Sequence, residues 1–248
     1  MRTVIVGAST GLGRCIGVGL ARRGAQVALL ARRKDLLDDA AAEAGSGTLA
    51  ITCDVTDADA CARAVEEAVA GLGGIDAVVY STGVGILRRI EDIDAETWMR
   101  AFGTNVVGAS LFTAAALPHL RESRGAIAYL SSVSASESAP WPGLGAYTVT
   151  KAALDKLVEA WRVEHPQVGF TRVVVGDCGG GEGIGQSQFT AEWDQELAGE
   201  MVTLWLERRL LSGALMDIEH LIGMIDAVLR CGASANVPSI SVTPRRPD

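Results

Sequence analysis

Short apolar runs alternate along the chain with longer stretches in which apolar residues recur every three or four positions. Residues 3–6, 26–30, 48–53, 75–80, 126–130 and 171–175 read as strands. Most of these runs are continuously apolar rather than alternating, as in a parallel sheet covered on both faces. A seventh strand is read at 238–242. Between them, 12–23, 34–44, 57–72, 95–120 and 146–164 read as helices, the fourth interrupted near Gly103. The alternation predicts an α/β chain: a doubly wound parallel sheet of Rossmann type with right-handed crossovers, three layers deep, in a single domain over 1–248.

One segment breaks this rhythm. Residues 176–185 contain six glycines in ten, which lose much backbone entropy on ordering. A helical stretch follows in which Trp193, Leu197, Met201, Leu204 and Trp205 share one face. A hinge before an amphipathic helix predicts a lid over a ligand cleft at about 177–216. An irregular surface loop with a packed helix is the plainer alternative.

Composition narrows the function classes. The 248 residues are 48% hydrophobic and 21% charged, a globular balance. A net charge of −8 argues against non-specific nucleic-acid binding, which neutralises phosphates with basic side chains. No apolar run reaches the roughly 18 residues of a membrane span, and no leader pattern opens the chain, so a cytoplasmic protein is expected. Five scattered Cys without a C-x-x-C pair suggest free thiols. Three distant His make neither a metal site nor a Ser-His-Asp hydrolase the expectation.

Gly7-Ala8-Ser9-Thr10-Gly11-Leu12-Gly13 follows the first strand and opens the first helix. Glycines there let the chain turn tightly against a pyrophosphate, and the helix offers unpaired N–H groups and its positive dipole end. The next test is the end of the second strand. A site selective for NAD places a carboxylate there for the ribose hydroxyls. This chain has Ala31-Arg32-Arg33 instead. Guanidinium binds phosphate in a bidentate, charge-assisted manner, so the 2′-phosphate of NADP is favoured. The plainer alternative, solvated charges at a helix start, puts cations against the dipole.

Tyr147 and Lys151 are four residues apart on the fifth helix, hence on one face. A neighbouring cation lowers a phenol's pKa, which makes Tyr147 a candidate general acid/base. Cys178 as a reactive thiol and Asp177 as a base are further candidates; an inert small residue and a solvated carboxylate are their simpler readings.

Taken in order, the Gly7/Gly11/Gly13 loop, Asp54-Val55, Asn105-Val106-Val107-Gly108, Ser131-Ser132 and Tyr147 with Lys151 resemble the short-chain dehydrogenase/reductase family, over essentially the whole chain. The resemblance implies that Tyr147 moves the hydroxyl proton, Lys151 binds the nicotinamide ribose and tunes Tyr147, Ser132 holds the substrate carbonyl, and Asn105 supports a water in a proton relay. It also implies a cofactor surface of Gly7, Ser9, Thr10, Gly11, Leu12, Gly13, Arg32, Arg33, Asp54, Val55, Thr82, Gly83, Tyr147 and Lys151. NADP(H) would be the cofactor and a small carbonyl or alcohol, hydrophobic by the lid face of Phe189, Trp193, Met201 and Trp205, the substrate. A homodimer or homotetramer is expected.

Three departures stand out. The family's Asn-Asn-Ala-Gly is Tyr80-Ser81-Thr82-Gly83, and its Pro-Gly is Cys178-Gly179 without the Thr that follows. Ser134 fits the family's usual spacing to Tyr147, whereas Ser132 fits the strand-end pattern and is preferred. A cofactor-binding sensor without turnover, or an epimerase or dehydratase that keeps its NADP, are the rival readings.

Overall fold

The computed structural model describes residues 1–181 and 186–245. Seven strands form one sheet: β1 Arg2–Val6, β2 Gln26–Ala31, β3 Leu49–Thr52, β4 Ala77–Tyr80, β5 Ala126–Ser132, β6 Gly169–Val175 and β7 Ser239–Val242. Their order is β3-β2-β1-β4-β5-β6-β7, and every neighbouring pair is parallel. Among the described residues nine helices accompany them: α1 Gly11–Arg22, α2 Lys34–Ala44, α3 Ala58–Leu72, α4 Ala95–Phe102, α5 Gly108–Ser123, α6 Val133–Ser136, α7 Gly145–Glu164, α8 Gln195–Glu207 and α9 Ile218–Arg230.

The continuously apolar strands bury both faces. Val4, Leu30, Val78 and Ile127 point into one core with Phe112, Leu154 and Phe170, while Ile5, Leu29, Val79 and Ala128 point into the other with Ile16, Leu20 and Ile225. This is the doubly wound α/β/α architecture expected from the pattern. The chain runs outward from β1 to β3 and then returns to β4, so a crevice opens past the carboxyl ends of β1 and β4.

Two elements depart from the expectation. The helix over 95–120 is not broken at Gly103: α4 passes into α5 through one wide π-type turn, Gly103–Val107. The combined helix Ala95–Ser123 is long and apolar enough, by length and composition, to cross a membrane, which corrects the expectation that no run reaches that length. In this fold Phe112, Ala116 and Leu120 turn its apolar face to the sheet and α3. The second departure is α9, which the sequence reading did not anticipate. Asp217 caps it by accepting from the Glu219 N–H at 2.9 Å, and it packs on α1, where a Cβ on Gly19 would meet Ile222 at 2.8 Å.

Candidate active site at the carboxyl edge of the sheet

A cavity of about 700 Å³ fills the crevice. The Gly-rich loop forms its floor. Gly7 (φ +92°) and Gly11 (φ +63°) take backbone conformations that favour glycine, and the Gly7 and Ala8 N–H groups donate to the Leu30 carbonyl at 2.8 and 3.0 Å. A Cβ on Gly13 would lie 2.2 Å from the Gly7 carbonyl oxygen, so only glycine lets the helix start this close to the strand. Ser81 bonds the same region, its hydroxyl donating to the Val6 carbonyl at 2.6 Å. Thr82 lies against Gly7 and, with Gly83, lines the wall.

The far end of the cavity is cationic. Arg33 donates through one nitrogen to the Ser9 hydroxyl at 3.0 Å and the Thr10 hydroxyl at 2.9 Å, without a carboxylate partner among the described residues. Burial, and then the like charge of Arg32, lower its pKa. Arg32 lines the same end, as do Asp54 and Val55. Asp54 accepts from the Thr56 N–H at 3.0 Å and hydroxyl at 2.8 Å, and these bonds hold its carboxyl below the ordinary carboxylate range despite some burial.

At the opposite end stand Tyr147 and Lys151, one turn apart on α7. Burial pushes the phenol up to about 12, while the Ser132 hydroxyl beside it acts the other way. Lys151 Nζ donates to the Leu130 carbonyl at 2.7 Å and lies 5.8 Å from the centre of the Tyr147 ring. Burial lowers this ammonium to about 8, opposed by Asp155 one turn further along. The expectation is that Lys151 lowers the Tyr147 pKa; in this geometry burial is the larger effect and the phenol is raised. Lys151 is buried and Tyr147 partly so, the ammonium is bonded to a carbonyl, and desolvation is the largest effect on each.

Ser132 caps α6, and its hydroxyl lies 3.1 Å from that of the buried Ser134. Of the two, Ser132 is the one that acts on the Tyr147 phenol. Asn105 does not line the cavity; it is fully buried in the wide turn. Its Oδ1 accepts from the Val84 N–H at 2.8 Å, and its Nδ2 donates to the Val84 carbonyl at 3.1 Å and the Thr150 hydroxyl at 2.9 Å. Thr150 in turn donates to the Tyr147 carbonyl at 2.8 Å. The sequence reading missed Thr150; its place three residues after Tyr147 on one helix was the available signal.

The segment after β6 covers this end. Asp177 is no free base: its carboxylate accepts from the Ser212 N–H at 2.7 Å and hydroxyl at 2.5 Å. Burial pushes the Cys178 thiol up to about 11, which keeps it a thiol at neutral pH. Residues 182–185 of the expected lid lie outside the described residues. Gly180 before them and Ser187 after them rest against Gly11, and Phe189 meets the Tyr147 ring edge-on, with ring centres 5.0 Å apart. Phe189, Trp193, Trp205 and Trp141 then form a run of tilted or edge-on aromatic contacts, anchored by Trp193 Nε1 donating to the Gly85 carbonyl at 2.8 Å.

Comparison with known proteins agrees with this geometry. The chain is 35% identical over 179 residues to 11-beta-hydroxysteroid dehydrogenase A of Sesamum indicum, a match covering 70% of this chain and 51% of that one. It is 37% identical over 169 residues to 11-beta-hydroxysteroid dehydrogenase 1A of Arabidopsis thaliana, covering 65% and 47%. The chain thus spans about half the length of these curated relatives. Among solved structures, a short-chain type dehydrogenase/reductase from Mycobacterium marinum superimposes with a TM-score of 0.82 at 28% identity, over 98% of this chain and 93% of that one. A family model described as short chain dehydrogenase matches residues 2–197, and the chain belongs to that family.

Proposed function

We propose that the protein is an NADP(H)-dependent oxidoreductase acting on a carbonyl or secondary alcohol. The observation that carries the reading is one cleft with two unlike ends. One end holds Arg32 and Arg33, the latter with no ion-paired carboxylate among the described residues, and the other holds Tyr147 and Lys151, with Ser132 just behind the lining. The residues present fit a dinucleotide: the Gly7–Gly13 cradle has no room for side chains at Gly7 and Gly13, and Arg33 is already held on Ser9 and Thr10.

When bound, the nicotinamide supplies or accepts the hydride. The chain does the rest. Tyr147 Oη gives its proton to the substrate oxygen in reduction and removes it in oxidation, Ser132 would hold that oxygen, and Lys151 would hold the nicotinamide ribose. Asn105 acts through Val84 and Thr150, keeping the Tyr147 end of α7 in place. Phe189 and Trp193 make the substrate side apolar, so a hydrophobic carbonyl is the expected partner. The names of the curated relatives make hydroxysteroids, the matching ketosteroids and other polycyclic ketones sensible first compounds. A cytoplasmic homodimer or homotetramer belongs to the same reading.

The test is NADPH oxidation, followed by absorbance, against aliphatic, aromatic and polycyclic ketones. Stoichiometric consumption is expected, with Tyr147→Phe losing at least about 100-fold in rate while still binding NADPH. NADPH binding with no turnover of either NADPH or NADP⁺ across both ketone and alcohol panels would instead establish the sensor reading.

A further inference from the structure

We propose that Tyr80 is a positioning residue: its buried phenol fixes the wide turn that aims Asn105 at the Val84 backbone and at Thr150. The purpose of that alignment rests on the oxidoreductase reading; the alignment itself does not.

Tyr80 ends β4 and is fully buried. A buried phenol needs a hydrogen-bond partner, and this one donates to the Thr104 carbonyl at 3.0 Å, immediately before Asn105. The turn it grips is the π-type turn Gly103–Val107, in which the Gly108 N–H reaches back five residues to the Gly103 carbonyl. Such turns are rare single insertions in helices and recur at functional sites. Here the turn rotates Asn105 inward, where its amide bonds the Val84 backbone at 2.8 and 3.1 Å and Thr150 at 2.9 Å.

Two further observations support the assignment. A Cβ on Gly108 would meet Tyr80 Oη at 3.0 Å and Val55 Cγ2 at 2.7 Å, so the phenol reaches the turn because residue 108 has no side chain. And Tyr80 stands where the resemblance places an asparagine, so the residue that grips the turn here departs from the family motif.

The neighbouring strand supplies a matched control. The Tyr129 ring lies 6.2 Å from that of Tyr80, and its hydroxyl is 2.7 Å from the Thr113 hydroxyl, which donates to the Ala109 carbonyl at 2.7 Å. Removing the Tyr129 hydroxyl deletes an equally buried group whose partners lie within α5, away from Asn105.

Hydrogen exchange of backbone amides, read by NMR on the full chain with and without NADPH, separates positioning from core filling. Tyr80→Phe keeps the ring and removes the hydroxyl. It should speed exchange of the Val84 amide, the group held by Asn105 Oδ1, by about tenfold, with amides of β2 and β3 unchanged. Tyr129→Phe should leave the Val84 amide as in wild type. Unchanged Val84 protection in Tyr80→Phe overturns the proposal. So does an equal rise in both variants, or one spread over the whole sheet. The readout needs no substrate, so its failure is distinct from a failure to consume NADPH.

Discussion

Arg33→Ala is the sharpest test of the cofactor end. Arg33 is held on Ser9 and Thr10 at 3.0 and 2.9 Å, and burial together with Arg32 lowers its pKa, so the site already carries concentrated positive charge. A 2′-phosphate placed there gains charge-assisted hydrogen bonds, each worth roughly 1.5–3 kcal/mol. Because Arg33 is only partly withdrawn from water, the lower half of that range applies, about 1.5–2 kcal/mol. This corresponds to a roughly 10–30-fold rise in the Kd for NADPH. NADH lacks the phosphate, so its Kd should stay within about twofold. Fluorescence titration with both dinucleotides at two salt concentrations reads the effect, and the difference between wild type and variant should shrink at high salt. An NADPH Kd that moves less than about threefold, or an NADH Kd that rises in parallel, refutes the reasoning, since neither fits a phosphate-specific contact.

Two other outcomes follow from packing and charge. Trp205 is buried against Trp141 and Trp193 and donates to the Pro142 carbonyl at 2.8 Å; Trp205→Ala should cost about 3–5 kcal/mol locally. Limited proteolysis should then cut the segment between β6 and α9 much faster than in wild type, and equal rates would show that the aromatic cluster does not hold that segment. At the opposite edge, the hydrogen bonds from Arg2 hold the Asp76 carboxyl below its ordinary range. A folded pKa below the unfolded value means stability that is present above about pH 4 and lost as pH falls through the depressed value. Asp76→Asn should therefore lower Tm at neutral pH and flatten its decline below about pH 4; curves that stay parallel there would remove the linkage.

The fold was readable because its signals are local. Short, continuously apolar runs such as 3–6 and 126–130 fit strands covered on both faces, and all seven expected strands appear within a few residues of their expected limits. Tyr147 and Lys151 were readable because a spacing of four is fixed by helix geometry. What escaped depends on tertiary placement. The sequence suggested that an ammonium beside a phenol lowers its pKa, but not that the Leu130 carbonyl takes that ammonium or that Phe189 covers the phenol. Gly103 looked like a helix breaker, yet the helix passes through one wide turn there, and Tyr80, which bonds the Thr104 carbonyl in that turn, lies on a strand 24 residues before Thr104. The missed α9 shows the converse case. Its apolar face is clear, but what it packs on, the glycine face of α1 in the outer layer, is a tertiary contact far away in sequence.

The clustering of Trp141, Trp193 and Trp205 gives the protein its own optical reporter. Three of its five indoles stand in one file that leads through Phe189 to the phenol at the cleft. Emission from excited indole overlaps the absorption of a reduced nicotinamide, so a dinucleotide arriving in that cleft should quench the file by energy transfer. Binding could then be followed in the unlabelled protein, before any substrate is known.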